Sequence, residues 1–189
     1  MKDMCCIDAF SPTSSSEIKA YFMENLKPIM DENRDIIFLC IGTDRSTGDS
    51  LGPLIGYKLK SIISKKLYIY GSLESPIHAT NILTILDKIK ANFNNPYIVA
   101  IDAALGSVNN IGKVIIENKP LAPGAAFNKS LPAIGNMSIK GIVNISGGMD
   151  FTLLQNTRLY TVMTLADSIS NGISSVSYTH LTLPTTERV

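Results

Sequence analysis

The chain has 189 residues, and its 17 Lys and Arg against 16 Asp and Glu leave a formal charge of +1, which argues against a strongly basic nucleic-acid surface or an acidic tail. Hydrophobic residues make up 45% of the chain, as in one compact domain rather than a disordered or collagen-like polypeptide. The longest strongly apolar run, residues 36–41, is far below the roughly 20 residues that a bilayer crossing needs. We therefore expect a single domain with neither a nucleic acid nor a membrane as partner.

Strand and helix patterns alternate along the chain. The spacing of apolar residues predicts, in chain order, a helix over 14–26, a strand over 35–41, a helix over 51–65, a strand over 67–70, a helix over 80–90, strands over 97–101, 113–117 and 138–144, and a helix over about 151–170. Strands and helices that alternate with short links indicate parallel βαβ units with right-handed crossovers. We predict an α/β fold, a three-layer αβα sandwich around a mostly parallel sheet.

The last fifteen residues, 175–189, break from the helical pattern before them into a Thr-rich alternation. They resemble translated sequencing-adapter read-through. We therefore expect residues 1–174 to form the domain and residues 175–189 to be a non-native tail that replaces the natural C-terminus. His180 belongs to this tail, which leaves His78 as the histidine of the predicted domain.

The cysteines indicate a reducing environment. Cys5 and Cys6 lie near the N-terminus, where we expect a mobile segment with exposed thiols. Cys40 lies inside an apolar run, which predicts an inert buried thiol. The N-terminus lacks the charged-then-apolar order of a secretory signal, so we expect a cytoplasmic protein.

Two aspartates follow strands of the predicted sheet. Asp49 lies in a loop of small polar residues, 42–53, after the strand at 35–41, and Asp102 follows the strand at 97–101. Ligands of open α/β sheets bind outside the carboxyl ends of the strands. If those two strands are neighbours, about 4.8 Å apart, both aspartates project from the same edge.

Two carboxylates in one cleft repel, so one of them can keep a proton that an isolated Asp would lose. The ionised member can then take a proton from water while the protonated member donates a hydrogen bond to a peptide carbonyl, as in aspartyl peptide hydrolysis. The same pair could instead hold a divalent metal. The structural alternative is that Asp49 only caps a helix and Asp102 only turns the chain.

Further polar residues are candidate substrate contacts at this edge: Gly42, Thr43, Asp44, Ser50, His78 and Lys129. His78 can also be a helix-start residue and Lys129 an exposed loop lysine. The loop has neither a P-loop nor a dinucleotide glycine motif, and the chain has no GxSxG elbow. We therefore expect a protein or peptide substrate and no cofactor.

At these residues the sequence resembles the sporulation proteins of the YyaC family, often called spore protease YyaC. The resemblance runs through CIGTDRSTGDSLGP at 40–53, IDAALG at 101–106, the PG, K and LP positions within 123–132, GIVN at 141–144 and LQNTRL at 154–159. That family is similar to the germination protease of spore-forming bacteria and to the hydrogenase maturation endopeptidases. The resemblance implies an α/β fold of the phosphorylase/hydrolase type.

The resemblance also implies roles for the two aspartates. The catalytic acids of the germination protease lie in a DALGP and an IDA stretch, which match Asp49 in DSLGP and Asp102 in IDA. In the hydrogenase endopeptidases the two corresponding acids and a later histidine bind nickel, but this sequence has no histidine between Ala79 and Tyr178.

The function that these matches imply is an endopeptidase acting on a spore or forespore protein in the cytoplasm of the mother cell or forespore. The alternatives are a non-catalytic sporulation factor that binds a peptide in the same cleft and a metal-dependent maturation peptidase.

Overall fold

The structure, a computed structural model, describes residues 3–61, 67–122 and 132–181, with the side chains of 177–181 left out. Within these ranges, one sheet contains the strands β1 (Met4–Asp8), β2 (Ile36–Cys40), β3 (Leu67–Tyr70), β4 (Tyr97–Gly106), β5 (Lys113–Glu117) and β6 (Met137–Ile145). The helices are α1 (Ser14–Asp31), α2 (Leu51–Leu59), α3 (Ile82–Asn92), α4 (Asp150–Gln155) and α5 (Leu159–Leu181), with 3₁₀ turns at Gly48–Ser50 and Val108–Asn110. None of the helices in the described ranges has both the length and the hydropathy that a membrane span requires.

The sheet has the strand order β1-β5-β6-β4-β2-β3. The four strands β6, β4, β2 and β3 are parallel, while β5 runs antiparallel to β6 and β1 antiparallel to β5. β2 pairs with β3 on one side and with β4 on the other, with Cys40 opposite Ile101. The predicted neighbourhood of the two strands that precede Asp49 and Asp102 is therefore confirmed.

Both faces of the sheet are covered by helices. Alternate residues of β2, such as Phe38, pack into a larger core formed with α1, α2 and α5, and the residues between them, such as Leu39, pack into a smaller core formed with α3. A strand buried on both faces must be apolar throughout, which explains the continuous run in the sequence. The predicted three-layer α/β sandwich is confirmed, with a mixed sheet whose antiparallel margin was not predicted.

The N-terminus is not the mobile segment that we predicted. It forms β1, because Cys5 and Ile7 pack on the larger core while the alternate residue Cys6 points outward. The three cysteines are reduced, Cys6 is exposed, and Cys40 is fully buried. Burial raises the pKa of the Cys40 thiol to about 12, which confirms the prediction of an inert thiol.

The predicted final helix is in fact two helices. The Thr157 hydroxyl donates to the carbonyl of Leu153 at 2.8 Å, and the Thr157 N–H donates to Leu154 at 3.3 Å, which closes α4 in a turn before α5 begins. α5 runs to Leu181, beyond the predicted end near 170, and Val176 is buried in the larger core. The helix predicted over 51–65 ends at Leu59. The non-native origin of residues 175–189 stays a prediction.

Candidate active site

A sharp turn at Gly42 brings Asp49 back to the carboxyl end of β2. Gly42 has φ +142°, and a Cβ there would overlap the carbonyl oxygen of Asp49, so glycine alone fits this position. The N–H of Thr43 donates to the same oxygen at 3.0 Å. Ser50, not Asp49, is the N-cap residue of α2, and no side chain there makes a capping bond. The backbone of Asp49 is thus held at the sheet edge while its carboxyl is not used as a helix cap.

Asp102 lies inside a strand rather than after one. β4 continues to Gly106, five residues past the predicted end, and Asp102 is 7% exposed. By strand alternation its side chain is on the same face as Ala100, which packs in the smaller core. The carboxyl oxygen Oδ1 accepts the N–H of Ala103 at 2.8 Å. The interpretation of Asp102 as a turn residue is therefore wrong.

Asp49 affects the environment of Asp102, because the 3₁₀ turn at Gly48–Ser50 contacts β4. Burial, and next the neighbouring Asp49, raise the pKa of Asp102 to about 8 against the opposing effects of the Ala103 hydrogen bond and Lys140. Burial also raises the pKa of Asp49, and the nearby Ser46 hydroxyl opposes it. Ser46 Oγ is buried and makes no hydrogen bond of ordinary geometry within the described residues.

The environments of the two acids indicate where a shared proton resides. The described ion pairs join other residues, so neither aspartate has a cationic side chain in salt-bridge contact there. Asp102 is the more deeply buried acid, and the Asp49 carboxylate beside it disfavours a second negative charge. Burial and the neighbouring acid therefore favour the protonated form of Asp102 at neutral pH.

The loop candidates differ in what their side chains contact. Thr43 Oγ1 accepts the N–H of Arg45 at 3.3 Å, and Asp44 is exposed. The Ser50 hydroxyl donates to the carbonyl of Thr47 at 2.7 Å, so it supports the turn. Contact of these residues with a substrate stays a prediction.

His78 begins the turn that leads into α3. Its N–H donates to Asn81 Oδ1, and its ring Nδ1 lies 2.9 Å from the hydroxyl of Thr80. Its neighbour Ile77 accepts the N–H of Gly42 at 2.7 Å, which places the turn beside the loop. These contacts agree with the helix-start interpretation of His78. Lys129 lies outside the described residues, as does the surrounding segment 123–131.

A metal centre of the kind that the resemblance implies needs a third ligand beside the two acids. In the described part of the chain, no group of three or more His, Cys, Asp or Glu side chains is placed to hold a metal ion. The residues present do not fit the set of two acids and a histidine, and no step of the chemistry below uses a metal.

The two later motifs of the sequence meet and support the site. Asn144 Nδ2 donates to the carbonyl of Leu153 at 3.0 Å and to the Thr157 hydroxyl at 3.3 Å, which ties the end of β6 to α4. Leu154 of α4 packs so closely on Gly48 that a Cβ there would clash with it. Through these contacts, α4 supports the 3₁₀ turn that holds Asp49.

Sequence reasoning missed two charged residues next to Asp102. Lys140 on β6 is directly opposite Asp102 in the parallel ladder, and Glu117 on β5 binds Lys140 at 2.7 Å. In the sequence, Lys140 is a single lysine in a strand, a pattern typical of a solvated position. The one feature of the sequence that could have indicated a partly buried Lys140 is strand alternation, which puts Lys140 on the same strand face as the buried Ser138.

A cavity of about 490 Å³ lies beside the edge strand β3 rather than at the aspartates. It is lined by residues of α2, β3 and the loop that follows β3. Neither aspartate and none of the predicted substrate contacts lines this cavity. It therefore contributes nothing to the acid–base pair.

Known proteins are similar to this chain at the level of both sequence and fold. The family described as "Protein of unknown function (DUF1256)" matches residues 8–172. The "Uncharacterized protein YyaC" of Bacillus subtilis (strain 168) is 47% identical over 141 residues, which cover 75% of this chain and 69% of that protein. The NiFe hydrogenase maturation protease HycI from Thermococcus kodakarensis KOD1 has the same fold, with a TM-score of 0.54 and 18% identity over 76% of this chain and 92% of that one. The predicted resemblance is confirmed, and the chain belongs to the DUF1256 family as a relative of YyaC.

Proposed function

We propose that this protein is an endopeptidase of sporulating bacteria, located in the cytoplasm of the mother cell or forespore, that hydrolyses a spore or forespore protein with Asp49 and Asp102. The observation that supports this proposal is the pair itself, a half-buried and a buried carboxyl at one sheet edge with different proton affinities. The fold shared with HycI, a protein named as a maturation protease, supports a peptidase.

The unequal environments assign a role to each acid. Ionised Asp49 takes a proton from a water molecule, whose oxygen attacks the carbonyl carbon of the peptide bond. Protonated Asp102 donates its hydrogen bond to the carbonyl oxygen, on which negative charge develops. When the tetrahedral intermediate collapses, the C–N bond breaks, the amine leaves with the proton that Asp49 accepted, and Asp102 again carries its own proton.

This division of roles predicts the pH dependence of cleavage. Activity requires Asp49 to be ionised and Asp102 to be protonated, so the rate falls on both sides of an optimum. The alkaline decline lies near pH 8, where the buried Asp102 loses its proton. The acid decline lies above the ordinary range of an Asp, because burial raises the pKa of Asp49.

The test is to incubate the purified protein with a spore extract and to label the new N-termini that appear. We expect new N-termini with the wild type and a loss of at least about a thousandfold in rate with Asp49→Asn and with Asp102→Asn, because each removes a proton-transfer group. Asp87→Asn, which changes an exposed acid on α3, is the matched control and keeps the wild-type rate.

Cleavage by a variant that carries both Asp49→Asn and Asp102→Asn would disprove the two-aspartate site. Peptide binding without new N-termini across the pH series would support the non-catalytic sporulation factor instead. Cleavage that a chelator abolishes would support the metal-dependent peptidase.

A further inference from the structure

We propose that Lys140 is a positioning residue of the Asp49–Asp102 site: anchored by Glu117, it holds a fixed positive charge beside Asp102 and so sets how tightly the pair retains its proton. This inference rests on the proposed function for its catalytic consequence. Its physical claim concerns the folded protein alone.

The strand register places Lys140 beside Asp102. The two residues are direct partners on the parallel strands β6 and β4, with no bulge before Ala104. Directly paired residues of neighbouring strands have their Cβ atoms on the same face, separated by about the 4.8 Å strand spacing. The Lys140 side chain is 27% exposed, so water screens its charge only in part.

Glu117 prevents the Lys140 ammonium from moving freely toward or away from Asp102. Lys140 Nζ binds Glu117 Oε2 at 2.7 Å, and Lys119 Nζ binds the other carboxylate oxygen, Oε1, also at 2.7 Å. The Glu117 side chain is only 10% exposed. A carboxylate that binds two lysines and is largely shielded from water holds them in place, because breaking either bond leaves a mostly buried carboxylate with one cation fewer.

The five groups form one row across the sheet: Lys119, Glu117, Lys140, Asp102 and Asp49. The charges alternate in sign up to Lys140, and they sum to zero along the whole row when one of the two aspartates carries a proton and the other is ionised. Burial favours the proton on Asp102. Lys140 therefore does two things at once. Its positive charge offsets part of the repulsion between the two aspartates, so that Asp102 can also ionise at high pH. Because Lys140 is bound to Glu117 as well, its charge does not lower the pKa of Asp102 enough to ionise Asp102 at neutral pH.

Removal of the Lys140 charge and removal of the Glu117 charge must then shift the pKa of Asp102 in opposite directions. Without the Lys140 charge, Asp102 holds its proton to higher pH. Without the Glu117 charge, Lys140 is released toward Asp102, and Asp102 loses its proton at lower pH. A purely structural pair would not give opposite signs, because loss of either member would loosen the same contact.

The experiment follows the carboxyl carbon of Asp102 by NMR across a pH titration of the full-length protein, which requires no substrate. We expect Lys140→Met to raise the titration midpoint by about one pH unit and Glu117→Gln to lower it by a similar amount. Lys140→Arg keeps the charge and restores the midpoint to near the wild-type value. The alkaline limb of peptide cleavage shifts in the same directions.

Lys58→Met is the matched control. Lys58 is 28% exposed, as Lys140 nearly is, and binds Asp167 at 2.8 Å, so the variant loses an ion pair of nearly the same length, although Asp167 is 55% exposed against 10% for Glu117. It does not act on Asp102, and the Asp102 midpoint stays in place.

An unchanged midpoint in Lys140→Met and Glu117→Gln, or shifts of the same sign, would overturn the inference. If Lys140→Met does not fold, the comparison of Lys140→Arg with Glu117→Gln gives the same decision. A protein that titrates as expected but cleaves nothing refutes the proposed function alone. If the protein cleaves peptides but the titration midpoint of Asp102 does not change in Lys140→Met, this inference alone is refuted.

Discussion

Two acids on the same sheet, Asp102 and Glu117, have similar exposed fractions but differ in depth and in neighbours, and their pKa values shift in opposite directions. Asp102 is 7% exposed and Glu117 is 8% exposed. Burial and Asp49 raise the pKa of Asp102 to about 8. Burial also opposes ionisation of Glu117, but hydrogen bonds and charge from Lys119 and Lys140 outweigh it and lower the pKa of that carboxyl.

The difference teaches that the exposed fraction of an acid does not by itself decide whether the acid is structural or chemical; its depth and its charged neighbours also matter. Glu117 lies between two lysines at 2.7 Å and joins β5 to β6. Asp102 has one backbone hydrogen bond and a second carboxylate as its neighbour. A buried acid that binds cations directly stabilises the fold, whereas one that has a cation nearby but not in salt-bridge contact keeps a proton available for transfer.

Removing the acid of Asp102 should have the largest effect on stability. The folded-state pKa is raised above the value of 3.8, so the folded protein binds this proton more tightly and its stability falls as pH rises from about 4 through about 8. With a pKa of 3.8 in the unfolded chain and about 8 in the folded protein, the tighter proton binding corresponds to at most about 5 kcal/mol at pH 8. We expect Asp102→Asn, measured by urea unfolding, to be more stable than the wild type at pH 8 and to lose this advantage near pH 4.

A variant that is less stable than the wild type at pH 8 would show that the Asp102 carboxyl is a structural group like Glu117. Asp87→Asn, on the surface of α3, controls for the general effect of removing one negative charge.

Removing the charge of Glu117 should lower the free energy of unfolding, which is the opposite of the effect expected for Asp102→Asn at pH 8. Its folded-state pKa is lowered, so its stabilisation is present above the value of 4.5 and is lost as pH falls through the folded-state pKa. We expect Glu117→Gln to lower the free energy of unfolding by about 2 kcal/mol at pH 7, because two charged hydrogen bonds are weakened. The difference from the wild type should vanish in acid, and a constant difference over the whole pH range would contradict the ion-pair explanation.

Removing the charge of Asp49 separates the two causes of the Asp102 shift. Because burial is the larger cause and Asp49 the second, Asp49→Asn should lower the pKa of Asp102 but leave it above 3.8. The measurement is the NMR titration of the Asp102 carboxyl carbon. A return to the ordinary Asp range would mean that repulsion rather than burial controls this acid.

The exposed pair of Lys60 and Glu74 should show the smallest effect. Its length is 2.6 Å, close to that of the Glu117 pair, but its side chains are 59% and 65% exposed. We expect Lys60→Met to change the free energy of unfolding by at most about 0.5 kcal/mol, and added salt to remove that difference. A loss as large as that of Glu117→Gln would show that ion-pair length matters more than burial.

Local patterns in the chain were enough to predict the central part of the fold. The apolar run at β2 and the βαβ order predicted a mostly parallel sheet, and the structure places β2 between β3 and β4 in such a sheet. These inferences succeeded because a parallel crossover has one favoured hand and a strand buried on both faces has a recognisable composition.

The same patterns failed where contacts are distant along the chain. β1 was missed because two cysteines near a terminus carry no sign of the antiparallel partner β5, with which they pair more than 100 residues later. The break between α4 and α5 was missed because hydrophobic periodicity does not register the bonds by which Thr157 closes α4 on Leu153 and Leu154, or the bond from Asn144 that holds the Thr157 hydroxyl. Each of these features is decided by a partner that local periodicity does not encode.

By itself, the sequence determined the α/β class and the family resemblance and singled out Asp49 and Asp102, because hydrophobic period and motif spacing are local properties. The tertiary structure alone decided that Asp102 lies within a strand, that Lys140 is its cross-strand neighbour and that Glu117 anchors that lysine. Strand register and burial arise only when the whole sheet assembles, and they determine which carboxyl keeps its proton.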